Sequence, residues 1–209
     1  MTIESLDDLR PGDIMISGQS TAPNKLLVYA GQLIIGEQFR IGKFAAGHAG
    51  IVTPGGKLVE AMPSGARERD LRASDWSPQH MYFRLPEDYP DQHFYAASMA
   101  RAMIGTPYSF MSYVYLAAYR FGIKSEWLVR RIDRRHAVHV EYAPLTNLDS
   151  ESRVMAPVEA ICSVLAEQAW TLTGKTVVRG TRPQVVTPGM LTKHLCGRSD
   201  IIRGGMSAW

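Results

Sequence analysis

Cysteine is scarce in this chain of 209 residues: only Cys162 and Cys196 are present. Two thiols are too few for a disulfide scaffold or a four-thiolate zinc site. A single bridge between them stays open, with a reducing compartment the simpler expectation. Charge of one sign is also in short supply, since 23 Lys and Arg against 20 Asp and Glu leave a net +3. That excess is too mild to point to nucleic acid. No stretch approaches the roughly 18 apolar residues that a bilayer span requires. The N-terminal "MTIESLDDLRPGD" has no basic patch leading into an apolar run, so no secretory signal is expected. No Walker-type or dinucleotide-binding glycine loop occurs, and no internal repeat or low-complexity tract. The expectation is a soluble protein made in the cytoplasm that needs neither metal nor cofactor. It would reach an extracytoplasmic substrate only through delivery machinery or lysis.

What is present suits an ordinary globular domain: 45% hydrophobic and 21% charged residues. The length fits one domain over residues 1–209, carrying a basic insertion at about 124–154. "LRPGDIMIS" predicts a turn and a short strand from Asp13 to Ser17. Asp13 is expected to close that turn through bonds to the backbone. A helix is expected over Asn24–Ile35. "HAGIV" and "KLVEAM", joined by Pro54-Gly55-Gly56, form the clearest hairpin, with His48 opening its first strand. A strand over His80–Pro86 follows, then helices over Asp91–Gly105, with Asp91 as N-cap, and over Phe110–Phe121. A longer amphipathic helix is expected from Pro157 to about Thr173, and a short one in "TPGMLTKHL".

The chemistry concentrates on Cys162, placed one turn into its expected helix, and His48. Helix N-terminal N–H groups favour a thiolate and can receive an oxyanion. An imidazole within reach completes activation of the thiol and later returns a proton to the leaving group. Glu60, on the second hairpin strand, is the best candidate to orient that imidazole. A hairpin turning at Thr53–Gly56 sets His48 opposite Ala61 and Glu60 one position away, subject to a slip of one residue. Taken singly, each residue also has a plainer reading. A cysteine on an apolar helix is commonly a small core residue, His48 can cap a strand, and Glu60 can face solvent.

Other candidates carry less. His194 and Cys196 diverge by half a turn on a helix and supply too few ligands for a metal. Arg130, Arg131, Arg134 and Arg135, beside His136 and His139, form either a solvated helix face or a contact for an anionic polymer, lipid headgroup or protein partner.

The segments "LRPGDIMIS", "GHAGIVTPGGKLVEA", "IGTPYSF", "ICSVLAEQAW" and "VTPGMLTKH" together resemble the circularly permuted branch of the NlpC/P60 papain-like superfamily, especially its YiiX/YaeF-like group. They span Leu9 to His194 in the family's order but cover well under half of the residues. In that branch the histidine strand precedes the cysteine helix, as His48 precedes Cys162 here. The resemblance implies an α+β, permuted papain-like fold: a small antiparallel sheet packed against the helix bearing the nucleophile. It assigns Cys162 as nucleophile, His48 as general base and Glu60 as third polar residue. It matches Tyr108 to a recurrent tyrosine, which either lines the cleft and assists the oxyanion or packs against the cysteine helix. The chain departs from the family at Ile161, where many relatives have an aromatic, and at Tyr108-Ser109, where they have "YD". The basic insertion has no counterpart.

A cysteine peptidase or amidase is therefore expected, hydrolysing amide bonds through a thioester. The superfamily favours peptidoglycan stem peptides as substrate, in a phage lytic or antibacterial effector setting with an immunity protein or delivery machinery as partner. Two alternatives stand: a lipid acyl hydrolase or acyltransferase on the same fold, and a catalytically inactive binding protein. This is fold-level analogy for the substrate.

Overall fold

A computed structural model describes residues 2–18, 39–41, 44–109, 118, 160–181 and 183–205. The helix expected over residues 24–35 and the basic stretch 124–154, with Arg130, Arg131, Arg134 and Arg135, lie outside these. Of the helix expected over Phe110–Phe121, only Ala118 is described, and it is helical.

The described residues form an α+β structure: a seven-stranded antiparallel sheet with three helices packed against it. The strands are β1 (Ile14–Gly18), β2 (Arg40–Ile41), β3 (Phe44–Thr53), β4 (Lys57–Met62), β5 (Gly65–Asp70), β6 (His80–Arg84) and β7 (Ile202–Gly204). They are ordered β5-β4-β3-β1-β6-β7, with β2 paired to the outer end of β3. The helices are α1 (Gln92–Ala102), α2 (Cys162–Thr171) and α3 (Pro188–Gly197).

β1 lies between β3 and β6 and is buried along its whole length. That position explains why "IMIS" reads as a continuous apolar run rather than an alternation. Ile14 and Ile16 join Ala49, Ile51, Val59, Met81 and Phe83 on the face that meets the helices. Met15 joins Val52, Leu58 and Tyr82 on the opposite face, covered by Ile3, Leu6, Leu9 and Trp76. The turn before β1 needs its glycine. Gly12 has φ +88°, and a Cβ there would fall 2.6 Å from the His93 carbonyl oxygen. The Gly12 carbonyl also accepts the Trp170 indole N–H at 3.1 Å, tying α2 to that turn.

Asp13 closes the turn as expected, its Oδ2 accepting the Arg10 N–H at 2.8 Å. It also makes a buried two-pronged ion pair with Arg84, at 2.8 and 2.6 Å.

Several expectations need correction. α2 begins at Cys162, not near Pro157. The Ala160 N–H and C=O are taken by Pro107 and Ser109, which keeps Ala160 and Ile161 out of the helix. α2 is not amphipathic: Cys162 through Trp170 are all buried, because α1, α3, β3 and β4 surround the helix. His48 does not open a strand, since β3 starts four residues earlier at Phe44. Asp91 precedes α1, but in the left-handed region (φ 62°) and without a side-chain cap. The sheet is also larger than the small one expected, chiefly through β2, β5 and β7.

Candidate active site

The hairpin register decides whether His48 can meet Glu60. Gly50 pairs with Glu60 and Thr53 with Lys57, one residue away from the expected pairing. Side chains alternate along a strand, so His48, two residues from Gly50, shares a face with Glu60 as its diagonal neighbour. The expected register would have put them on opposite faces.

A bulge refines this placement. Ser17 pairs with His48 but Gly18 pairs with Ala46, leaving Gly47 as an extra residue in β3. A bulge bends its strand and re-aims the adjoining side chain. Here it does so beside the N-terminus of α2, so the imidazole meets both the hairpin carboxylate and the helix thiol. His48 Nε2 lies 3.2 Å from Glu60 Oε2. A carboxylate only accepts, so Nε2 carries the hydrogen and Nδ1 is left for Cys162.

Cys162 is the first residue of α2, at the positive end of its dipole. It is 1% exposed. Burial alone would raise its pKa, but the His48 charge and hydrogen bond, with the Ala49 and Ser163 N–H groups, bring it below the ordinary value. Burial likewise opposes charge on His48, yet the Cys162 and Glu60 charges outweigh it and raise the imidazole to about 9. For Glu60 burial is again overcome, by His48, Arg69 and Arg67, and the carboxyl falls to about 2. Each member thus favours the charged form of the next: Cys162 is shifted toward thiolate, His48 toward imidazolium and Glu60 toward carboxylate.

The three residues singled out as catalytic candidates are therefore brought together. Tyr108 comes to the same region by a different route. A parallel bridge joins it to Ala160, two residues before Cys162, and it packs half-buried against the main core. His194 and Cys196 sit on α3, and burial pushes the Cys196 thiol up to about 11. Both cysteines are free, so the open possibility of a bridge between them is not realised. Among the described residues, no group of three or more His, Cys, Asp or Glu side chains could hold a metal ion. No described helix is long and apolar enough to cross a membrane.

Sequence reasoning missed two residues that touch the site. Arg67 and Arg69 on β5 both reach Glu60 Oε1, Arg67 through Nε and Nη2 at 3.2 and 3.0 Å and Arg69 through Nε at 3.2 Å. A signal was available in "MPSGARERD". Pro63-Ser64 makes a tight turn, and arginines two apart on the following strand share a face. Compared with known proteins, the chain matches no protein-family model and no curated protein sequence.

Proposed function

We propose that this chain is a cysteine hydrolase that cleaves amide bonds through a thioester. The observation that carries the reading is the single imidazole spanning Glu60 and a thiol at the first residue of a helix. A packing cysteine needs no such partner, and burial alone would move its pKa the other way.

In this mechanism Cys162 Sγ attacks the substrate carbonyl carbon. N–H groups of the first turn of α2, which have no acceptor within the helix, receive the oxyanion. As the tetrahedral species collapses, the C–N bond breaks and the proton on His48 Nδ1 passes to the leaving nitrogen. A water then gives a proton to His48 and its oxygen to the acyl carbon, releasing the acid and restoring the thiolate–imidazolium pair. Glu60 keeps the ring oriented through both halves. Tyr108, bridged to Ala160 two residues before Cys162, is the side chain assigned to assist the oxyanion in this reading.

The resemblance to permuted NlpC/P60 hydrolases supports a permuted papain-like fold and makes peptidoglycan stem peptides the favoured substrate. Incubating the protein and its Cys162→Ala variant with purified peptidoglycan of several chemotypes, with products mapped by mass spectrometry, tests this. Amide cleavage that depends on Cys162 is the expected outcome. Fatty-acid release from phospholipid with peptides untouched would select the lipid reading instead. The absence of any Cys162-dependent product on either substrate would overturn the hydrolase.

A further inference from the structure

The triad does not end at Glu60. We infer that Arg69, pinned by Asp75, is a positioning residue that fixes the Glu60 carboxylate so that its Oε2 serves only His48. This rests on the hydrolase reading and extends it by two residues, through side chains that do not touch the substrate.

The geometry is specific. Arg69 donates Nε–H to Glu60 Oε1 at 3.2 Å. Its two terminal nitrogens grip Asp75, Nη1 to Oδ2 at 2.7 Å and Nη2 to Oδ1 at 3.0 Å. Asp75 is itself held, because Oδ2 accepts the Arg72 N–H at 2.7 Å from the same short 3-10 turn. A planar guanidinium can serve two carboxylates in fixed directions, which an ammonium cannot. Arg67 shares Oε1, but its side chain is 51% exposed against 21% for Arg69. Solvent and side-chain entropy weaken such an exposed contact. Arg69 is the better-fixed of the two.

Charge explains why both members are needed. The charged groups facing Glu60 are His48 from β3 and Arg67 and Arg69 from β5, all cationic when the triad is active. Asp75 restores the balance on the far side of Arg69, with His80 Nε2 3.9 Å from it as the next titratable neighbour. Signs then alternate along the row Asp75, Arg69, Glu60, His48, Cys162. With Oε1 saturated by arginine, the carboxylate cannot rotate away from the imidazole without breaking ion pairs. Losing Arg69 frees Glu60 to turn and to take up a proton at higher pH. The imidazolium then loses its anchor and the thiolate its counter-ion.

The test needs no substrate. In a Cys196→Ala background, the rate of Cys162 alkylation by iodoacetamide is followed from pH 4 to 10 for Arg69→Met, Arg69→Lys, Asp75→Asn and Arg67→Met, with folding checked by circular dichroism. Arg69→Met and Asp75→Asn should each move the acid limb up by about one pH unit. Arg69→Lys should recover part of that shift, and Arg67→Met should cause less of it. If Arg69→Met does not fold, Arg69→Lys and Asp75→Asn still decide the matter. On a hydrolysed substrate Arg69→Met and Asp75→Asn should lower kcat about tenfold to a hundredfold with little change in KM, and Arg69→Lys and Arg67→Met should lower it less. Folded Arg69 and Asp75 variants whose profiles superimpose on the parent's overturn the positioning role alone, provided that His48→Ala still abolishes the low thiol pKa. An ordinary parent thiol titration, indifferent to His48→Ala, overturns the hydrolase reading and this inference together.

Discussion

Cys162 and Cys196 lie on adjoining helices, and both thiols are free. Burial pushes each toward its neutral form. At Cys196 burial prevails over the attraction of Arg203, and the thiol rises to about 11. At Cys162, which is 1% exposed, the His48 charge prevails and the thiol falls. Two buried glutamates repeat the contrast. Glu167, on the same helix as Cys162, accepts the Val177 and Val178 N–H groups, but burial dominates and lifts it to about 7. Glu60 meets His48 and two arginines and falls to about 2. Enclosure by itself neutralises a titratable group, whereas an opposite charge built in beside it keeps it ionised. For these four buried groups the direction of ionisation follows the partner and not the depth.

Removing each thiol in turn should give the largest difference. Cys162→Ala should lower hydrolysis at least about a thousandfold, while Cys196→Ala leaves turnover near the parent's; product assays on both variants decide it. Next in size is the partner itself. With Cys196 removed, His48→Ala should let burial lift Cys162 to the ordinary thiol range or above it and slow its alkylation about a hundredfold at pH 6.5. An unchanged rate would make Cys162 a packing residue like Cys196.

Glu60→Gln keeps the shape and removes the charge, and should cut kcat about tenfold to a hundredfold. The pH–rate profile offers a second measure of the same contact. Its alkaline limb is expected near 9 in the parent, from loss of the imidazolium proton, and should move toward the ordinary imidazole range in that variant.

The smallest effect is on stability, and the two glutamates should show opposite slopes. Glu167 has a folded pKa near 7 against an ordinary 4.5, so the folded chain binds its proton more tightly. Its contribution is therefore most favourable below 4.5 and declines as pH rises toward 7, by on the order of 3 kcal/mol. Glu60 is depressed from 4.5 to about 2, so its contribution is present above 4.5 and is lost as pH falls toward 2. Thermal melts across pH 3 to 8 should show Glu167→Gln flattening the upper window and Glu60→Gln the lower one. Equal slopes in the two variants would remove the distinction between enclosed and partnered carboxylates.

Much of the site could be read along the chain because its parts lie in strong local patterns. Pro54-Gly55-Gly56 between apolar β-branched flanks demands a hairpin, and Glu60 lies on its second strand. Gly174, with φ +83°, follows the end of α2 as its position in the sequence suggests. The failures also have physical causes. The start of α2 was misplaced because Pro157 is a good helix opener locally, while the strand-like bridge from Ala160 to Tyr108 is a contact across more than fifty residues. β5 was missed because "ARERD" is charged on both faces. Its arginines face Glu60 on one side, and Glu68 on the other meets Thr53 and Arg101. Pairing, and not apolar periodicity, makes that segment a strand.

Local patterns in the chain supply the inventory and its order: a thiol in a helical segment, an imidazole before it on a strand, a carboxylate across a tight turn. These follow from turn chemistry and apolar spacing, which act over a few residues. That His48 and Glu60 share a face depends on how the strands pair in three dimensions, because a register of one residue separates contact from opposition. The tertiary structure alone put Cys162 at the first residue of its helix and Arg69 between two carboxylates. Those outcomes depend on a bulge at Gly47, a bridge at Ala160 and a strand at the sheet edge. Each is fixed by backbone hydrogen bonds between segments far apart in the chain.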